Sequence, residues 1–455
     1  MSVAAAADWR GGSGRGGEGA VRTIWGAEGT VAPRTGPWLA VLILLLSLLP
    51  AGCGGDGGPV SGTTSEPEEP PIATTLIVET PAGDPAGDEG WVTTAGSAFP
   101  NPVRVRVEDQ RGNPVPGHSI GASIVAGDGW IPSPTLTTDA RGEAVVTWYA
   151  GSDPEEPEQR LRFRAGATAA LTAEVTGRTV PPGVGVRLTG HREFVEYTPG
   201  TLPLVITATH GGTLLPADLP DRTWGTLVRD LATDTLALLM ADSLEALSGE
   251  RPHLIRVHLH RRKMDANRDV EEGAQGHPEA IRAWHQFHAW TETAMALVRA
   301  SHPRGLYLDV HGHGHEVQRL ELGYLLTSSH LALDDAALDG PELAGRSSLR
   351  EIASWTGRTP SEVVRGPGSL GDLFHQQGYP AVPSPQDPHP AGAPYLSGGY
   401  NTRRYGCRDG GGICGFQLEA NRIGVRDSGP ALGAFAGATA RVLLDALADI
   451  TAPAD

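Results

Sequence analysis

Cysteine, positive charge and long apolar runs are all scarce in this chain. Its 455 residues hold three cysteines, and 36 lysines and arginines stand against 53 acidic residues, a net charge of −17. That balance excludes a nucleic-acid partner, which needs a basic footprint, and polybasic docking to anionic lipid. Charge is not gathered in blocks and apolar residues make up 39%, so the material is globular and not wholesale disordered. The length suits two or three domains. The apolar stretch Trp38–Leu49, within "GPWLAVLILLLSLLPAGCGG", is too short to span a hydrocarbon core of about 30 Å. It has the length of the apolar region of a secretory leader; the competing reading is a short buried helix.

Ala51 and Gly52 precede Cys53, and the stretch resembles a bacterial lipoprotein lipobox, with Pro50 where that motif usually carries leucine. The resemblance implies a leader over 1–53, lipidation of Cys53, and an exported chain anchored to a bacterial membrane. Residues 54–72 then form a Gly/Ser/Pro/Glu tether with nothing to bury. The remaining cysteines, Cys407 and Cys414, flank "RDGGG". In an exported protein this flexible loop closes into a disulfide; the alternative is two unpaired thiols.

From 73 to 178 the pattern is β throughout. In "NPVRVRVED", Val103, Val105 and Val107 alternate with Arg104, Arg106 and Glu108, giving one apolar and one solvated face. "DQRGNPVPG" is a dense turn signal, and "LTAEVTG" alternates again. Short strands with regular turns predict a sandwich. "VRVEDQRGNPVPG" with "TDARGEAVVTW" also resembles the bacterial immunoglobulin-like repeats of invasin-type adhesins. That resemblance implies a spacer or a module with a surface partner.

"RTVPPGVG" reads as a second linker, and from 185 to 455 the grammar changes to α/β. "LPLVITAT", "HLIRVHLH", "GLYLDV" and "GFQLEA" read as buried strands. Leu236, Leu239, Met240, Leu244 and Leu247 recur at helical spacing up to Gly249. Pro278 opens a helix in which Ile281, Trp284, His288, Met295 and Val298 share one face, ended by Pro303. Strands alternating with helices predict a mixed sheet between two helix layers, a three-layer α/β/α domain after the all-β sandwich.

Three strands deliver polar residues at their C-terminal ends, where open α/β sheets place their sites. They are "VITATHGG" with His210, "LYLDVHGHGHE" with His311, and "GFQLEAN" with Gln417 and Glu419. Polar groups on otherwise buried strands cost several kcal/mol unless partnered, so they are expected to converge. Two histidines, a carboxylate and an open position are what a catalytic zinc uses, and such an ion activates water and polarises a carbonyl. Asp230 and Asp234 are both candidates for the carboxylate. Glu419 suits a general base, the alternative being a partner for a buried arginine. Asn267 and Arg268, in "LHRRKMDANRD", offer an amide and a guanidinium fork for a substrate carboxylate, or an internal ion pair. Asp265 reads as fixing that loop. His313 and His315 read as metal contacts or as pocket lining, and Glu321 as pocket lining or a buried salt-bridge partner. Tyr400 and Arg403 in "SGGYNTRRYG" read as closing over substrate or as plain surface.

"THGG", "LHRRKMDANRD", "LDVHGHGH", "SGGYNTRRYG" and "FQLEAN", in this order, resemble the N-formylglutamate amidohydrolase family, of the zinc carboxypeptidase and aspartoacylase fold. The resemblance covers roughly residues 185 to 450. It implies one zinc ion held by His210, Asp230 and His311, a substrate carboxylate held by Asn267 and Arg268, and water activated by Glu419. Two departures stand out: the first site lacks the H-x-x-E of carboxypeptidase-like relatives, with Thr213 after "HGG", and Arg404 or Tyr405 takes the place of a family histidine. The expectation is an exported, lipid-anchored zinc amidohydrolase cleaving an amide next to a carboxylate in a small-molecule or peptide substrate. Two rivals remain: a non-catalytic adhesin or ligand-binding protein with a degenerate hydrolase domain, and a metallocarboxypeptidase.

Overall fold

The structure is a computed structural model that describes residues 71–79, 91–166 and 171–452. The expected leader, Cys53 and nearly all of the tether lie outside the described residues.

Eight strands build the first half: β1 (Ala73–Glu79), β2 (Trp91–Thr94), β3 (Val103–Asp109), β4 (Ser119–Ala126), β5 (Thr135–Thr137), β6 (Glu143–Val146), β7 (Glu158–Ala165) and β8 (Thr172–Val180). They form two sheets, in the orders β1-β3-β6 and β2-β8-β7-β4-β5. Along β3 the three valines are fully buried and the arginines between them are not, as period-2 alternation on a half-solvated sheet requires. The inner faces enclose Trp148, Phe99, Leu161 and Phe163, with the Phe99 and Trp148 rings 4.2 Å apart between centroids.

The second half holds one mixed sheet of eight strands, in the order β15-β14-β16-β13-β11-β12-β10-β9. Its strands are β9 (Leu188–Thr189), β10 (Val195–Thr198), β11 (Leu204–Ala208), β12 (His253–Val257), β13 (Gly305–Gly312), β14 (Leu320–Gly323), β15 (Ala381–Val382) and β16 (Ile413–Ala420). The central four, β12, β11, β13 and β16, are parallel, while β14 runs antiparallel to β16 and β10 to β12. Strands covered on both faces read as near-continuous apolar runs, and every residue of β11 and β16 is buried.

Helix α1 (Thr233–Ser248) and the last helix, Gly429–Thr451, cover one face of the sheet. That face presents Leu204, Ile206, Leu306, Leu308 and Leu418. Gly249 ends α1 at φ 80, the left-handed position glycine adopts without penalty. A short helix, α2 (Val270–Ala274), precedes α3 (Pro278–Ser301), which covers the other face against Val205, Ile255, Val257 and Tyr307. The last helix is apolar and long enough to cross a membrane by composition, yet half of its apolar window is packed inside this layer.

Helix α3 differs from its expected single apolar face. Gln286 and Thr293 are buried together with Trp284 and Met295, because the turn at Gly96 of the sandwich rests on the helix's outer side. There Gln286 Nε2 donates to Gly96 O at 2.7 Å, Trp290 Nε1 donates to Ser97 Oγ at 3.2 Å, and Trp130 stacks on His285 with ring centroids 4.3 Å apart. Gly96 has φ 72, and a Cβ there would stand 2.8 Å from Thr293 Oγ1, so the turn approaches the helix as only glycine permits.

Candidate metal centre

His210 follows β11 by two residues, His311 closes β13, and Asp230 lies in the loop leading to α1. Adjacent parallel strands bring the two histidines together, their ring centroids 4.6 Å apart. His210 Nδ1 lies 3.0 Å from His311 Nδ1, and Asp230 Oδ2 lies 3.4 Å and 3.1 Å from those two nitrogens. Asp234, the other candidate, sits instead in the first turn of α1 against the chain at Gly211. The glycines are structural: a Cβ at Gly211 would stand 2.3 Å from Asp234 N, and one at Gly212 2.4 Å from Leu259 O. Gly312 similarly makes room for the Arg426 guanidinium, which a Cβ would meet at 2.2 Å. That guanidinium donates to the carbonyls of Ala420, Leu231 and His313 and so ties three chain segments round the site.

The outer nitrogens decide what the inner ones can do. His210 Nε2 lies 2.7 Å from Asp265 Oδ1, and His311 Nε2 lies 2.8 Å from Asp309 Oδ2, both carboxylates being fully buried. An ionised carboxylate only accepts hydrogen bonds, so each Nε2 carries the proton and each Nδ1 is left with a lone pair. Two lone pairs and a carboxylate oxygen then point at one spot, an arrangement relieved by a cation there or, without one, by a second proton on His311. Burial opposes that proton, but Asp309 and Asp230 outweigh it and raise the imidazole well above its ordinary value. Four ligands about 2.0 Å from a tetrahedral zinc stand roughly 3.3 Å apart, and the measured separations bracket that value. Carboxylates behind metal-ligating histidines are the usual way of fixing ring and tautomer. The donors present fit a divalent metal ion.

Electrostatics follow the same logic. Burial alone would raise the Asp230 carboxyl, but the His210 and His311 imidazoles outweigh it and hold it well below its ordinary range. Asp265 is likewise lowered despite burial, by His210 and Arg261. Burial lifts Glu419 to about 7, the Asp230 charge adding to the rise and His311 opposing it. Glu419 is the register partner of His311 across β16 and β13, and Gln417 Nε2 donates to its Oε1 at 2.7 Å.

These groups line a cavity of about 800 Å³. Arg229, Arg261, Arg262, Arg268, Arg422 and Arg426 line it too, against Asp230 and Glu419 as the only carboxylates among the lining residues. Three of these arginines are paired with carboxylates behind the wall, Arg261 with Asp265, Arg262 with Asp221 and Arg268 with Glu272.

Arg268 lines the cavity; its Nε bonds Glu272 and its Nη1 bonds Asn267 O, while Nη2 has no partner among the described residues. Asn267 also lines the cavity, but its Oδ1 already accepts from Asn401 N and its amide nitrogen faces Gln417 and His311; its side chain braces the site. Tyr400 and Arg403 are placed away from the cavity, contrary to the expectation that they close over substrate. Tyr400 packs on Trp284 and His288 and accepts from Arg404, and Arg403 is exposed on the short helix Tyr400–Tyr405. Neither side chain lines the cavity, and Gly398 and Gly399 stand at its wall instead. Cys407 and Cys414 are joined in a disulfide.

The sequence reading gave Asp309 no role, although the signal was present: in a strand, residues two apart share a face, so D-x-H sets a carboxylate beside its imidazole. Asp265 was read as fixing its loop, which it does through Asn267 N and Arg261; its bond to His210 joins residues 55 apart in the chain, and no local pattern announces it.

No protein-family model matches the chain, and no curated protein matches it. Among solved structures, the D00-D0 domain of intimin is similar at 15% identity over 25% of this chain, with a TM-score of 0.18; the chain covers half of that structure's length. An Escherichia coli adhesin matches at 17% identity over 27% of this chain and 37% of its own, with a TM-score of 0.18. A gene product from Agrobacterium tumefaciens matches at 12% identity over 56% of this chain and 95% of its own, with a TM-score of 0.31.

Proposed function

We propose that the α/β domain is a zinc-dependent amidohydrolase that cleaves an amide bond next to a carboxylate. The observation that carries this is the meeting of His210, Asp230 and His311, each imidazole backed by its own buried carboxylate, in an arginine-lined cavity with a buried glutamate alongside. The motif resemblance to the N-formylglutamate amidohydrolase family supports the same reaction class. When bound, a zinc ion polarises a carbonyl and makes water nucleophilic near neutral pH. Glu419 takes the proton that water gives up, at a carboxyl whose burial suits it to accept near pH 7. Arg268 holds the substrate carboxylate through Nη2, its Nε and Nη1 being anchored to the protein. Asn267 and Gln417 keep the Glu419 strand and His311 in place. The substrate class is N-acyl amino acids or related peptide-like amides.

The sandwich is read as an immunoglobulin-like domain and the whole chain as an exported lipoprotein anchored through Cys53. The Cys407–Cys414 disulfide supports export, since such bonds persist in oxidising compartments.

The test uses the purified full chain after exhaustive dialysis. Elemental analysis is expected to find one zinc per chain, with turnover of N-acyl amino acids. Glu419→Gln is expected to keep the metal and lose turnover by about 100-fold or more. Substoichiometric metal, or ligand capture without turnover across a broad panel, overturns the reading in favour of a binding protein. Release of free C-terminal residues from peptides reassigns the protein as a carboxypeptidase.

A further inference from the structure

His315 and Glu321 take no part in the reading above, yet both belong to the same end of the sheet. Glu321 is buried on β14 in register with Glu419 on β16, which is in register with His311 on β13. The three residues form one row across adjacent strands, neighbours about 5 Å apart, with Glu321 flanking Glu419 on the side away from His311. His315 lines the cavity, and its Nδ1 lies 2.7 Å from Glu321 Oε1. The other carboxylate oxygen, Oε2, accepts from Leu396 N at 2.8 Å, so the carboxylate cannot rotate freely.

The backbone of His315 is equally fixed. Its N–H donates to His313 Nδ1 at 3.1 Å, and its carbonyl accepts from Gln318 Nε2 at 2.6 Å. Because Glu321 accepts at Nδ1–H, the other ring nitrogen, Nε2, is free to exchange a proton, and it makes no hydrogen bond among the described residues. His313, His315 and Glu321 also stand close enough together to suggest a second metal site. His313 argues against that: its Nε2 donates to Arg319 O at 2.9 Å while its Nδ1 accepts from His315 N, so neither ring nitrogen is available to an ion.

We infer that His315 is the acid that protonates the departing amine, and that Glu321 is its positioning residue; this rests on the amidohydrolase reading. The step balances as follows. Water's oxygen bonds to the acyl carbon and one water proton goes to Glu419. The C–N bond breaks, and its electron pair takes the proton carried on His315 Nε2. The products are a carboxylic acid and an amine, and the two side chains re-equilibrate their protons with solvent.

The experiment compares two substrates on the zinc-loaded full chain. One is an N-acetyl amino acid, whose amine is strongly basic and departs only when protonated. The other is N-acetyl-5-nitro-2-aminobenzoate, which keeps the carboxylate but departs as a weakly basic aniline. His315→Asn is expected to lose about 100-fold on the first substrate and less than about 5-fold on the second, with zinc content unchanged. Glu321→Gln is expected to show the same contrast, more weakly. Equal losses on both substrates, or none on either, overturn the inference while leaving the hydrolase reading intact. Turnover of neither substrate by the unaltered protein overturns both together. A readout independent of activity is the imidazole nitrogen NMR of His315: the Nδ1–H tautomer is expected in its neutral form, and a dominant Nε2–H tautomer overturns the inference.

Discussion

At the scale of single residues, two buried aspartates behind the cluster of His210, Asp230 and His311 carry much of the site. Asp265→Asn and Asp309→Asn leave side chains of the same size but replace an acceptor-only carboxylate by an uncharged amide that can also donate, so the imidazole tautomer is no longer dictated. Each is expected to weaken zinc affinity by about 10- to 100-fold, measured by competition against a chelator. The meeting of His210 and His311 was legible: a histidine at the end of each of two neighbouring buried strands is placed to share one spot. Asp230 over Asp234 was the harder choice, because only the loop's path decides which carboxylate reaches the imidazoles. A different histidine governs acid stability. His253 is buried with Nδ1 against Tyr197 Oη at 2.8 Å, and burial lowers it from the ordinary 6.5 to about 4. The native state then binds fewer protons than the unfolded chain between those values. The contribution is intact above pH 6.5, falls as pH drops, and amounts to about 3 kcal/mol when fully lost below pH 4. His253→Asn is expected to flatten the stability curve over pH 6.5 to 4, as read by denaturant midpoints.

At the scale of elements, apolar patterning located what it could. The strands at β11, β12, β13 and β16 and helices α1 and α3 fall where apolar runs and punctuating glycines and prolines predict them, since buried parallel strands and capped helices write themselves locally. The strand-end glycines are a sharper case. A Cβ at Gly212 would collide with backbone at Leu259 and His258, and backbone yields less readily than a side chain. Gly212→Ala is expected to cost about 1–3 kcal/mol by overpacking, seen as a lower denaturation midpoint, and to loosen the His210 position. What the pattern could not give is the second buried side of α3. Gln286 and Thr293 read as solvated helix positions, and only a tertiary partner more than 180 residues away makes them interior. The "YNTRRYG" segment was hard to read for the same reason: Tyr400 packs on Trp284 and Arg404 bonds Glu292, both on α3.

At the scale of the whole molecule, the sandwich and the mixed sheet are coupled through that helix. Linker composition at "RTVPPGVG" suggested two bodies on a string; the Gln286–Gly96, Trp290–Ser97 and Trp130–His285 contacts join them instead. Thermal unfolding of the intact chain is expected to follow one transition in calorimetry. The double variant Trp130→Ala with Gln286→Ala, which removes the stacking and the buried amide bond, is expected to split it into two. Two transitions in the unaltered chain would refute the coupling.

The same seating has a practical corollary for dissection of the protein. A fragment trimmed to residues 185–455 would carry a wall of indole, amide and hydroxyl groups shaped for a neighbour it no longer has, around Trp290, Gln286 and Thr293. Such a truncation should clump on concentration, so poor behaviour of the excised half would reflect a missing cap and say nothing about the cluster at His210, Asp230 and His311.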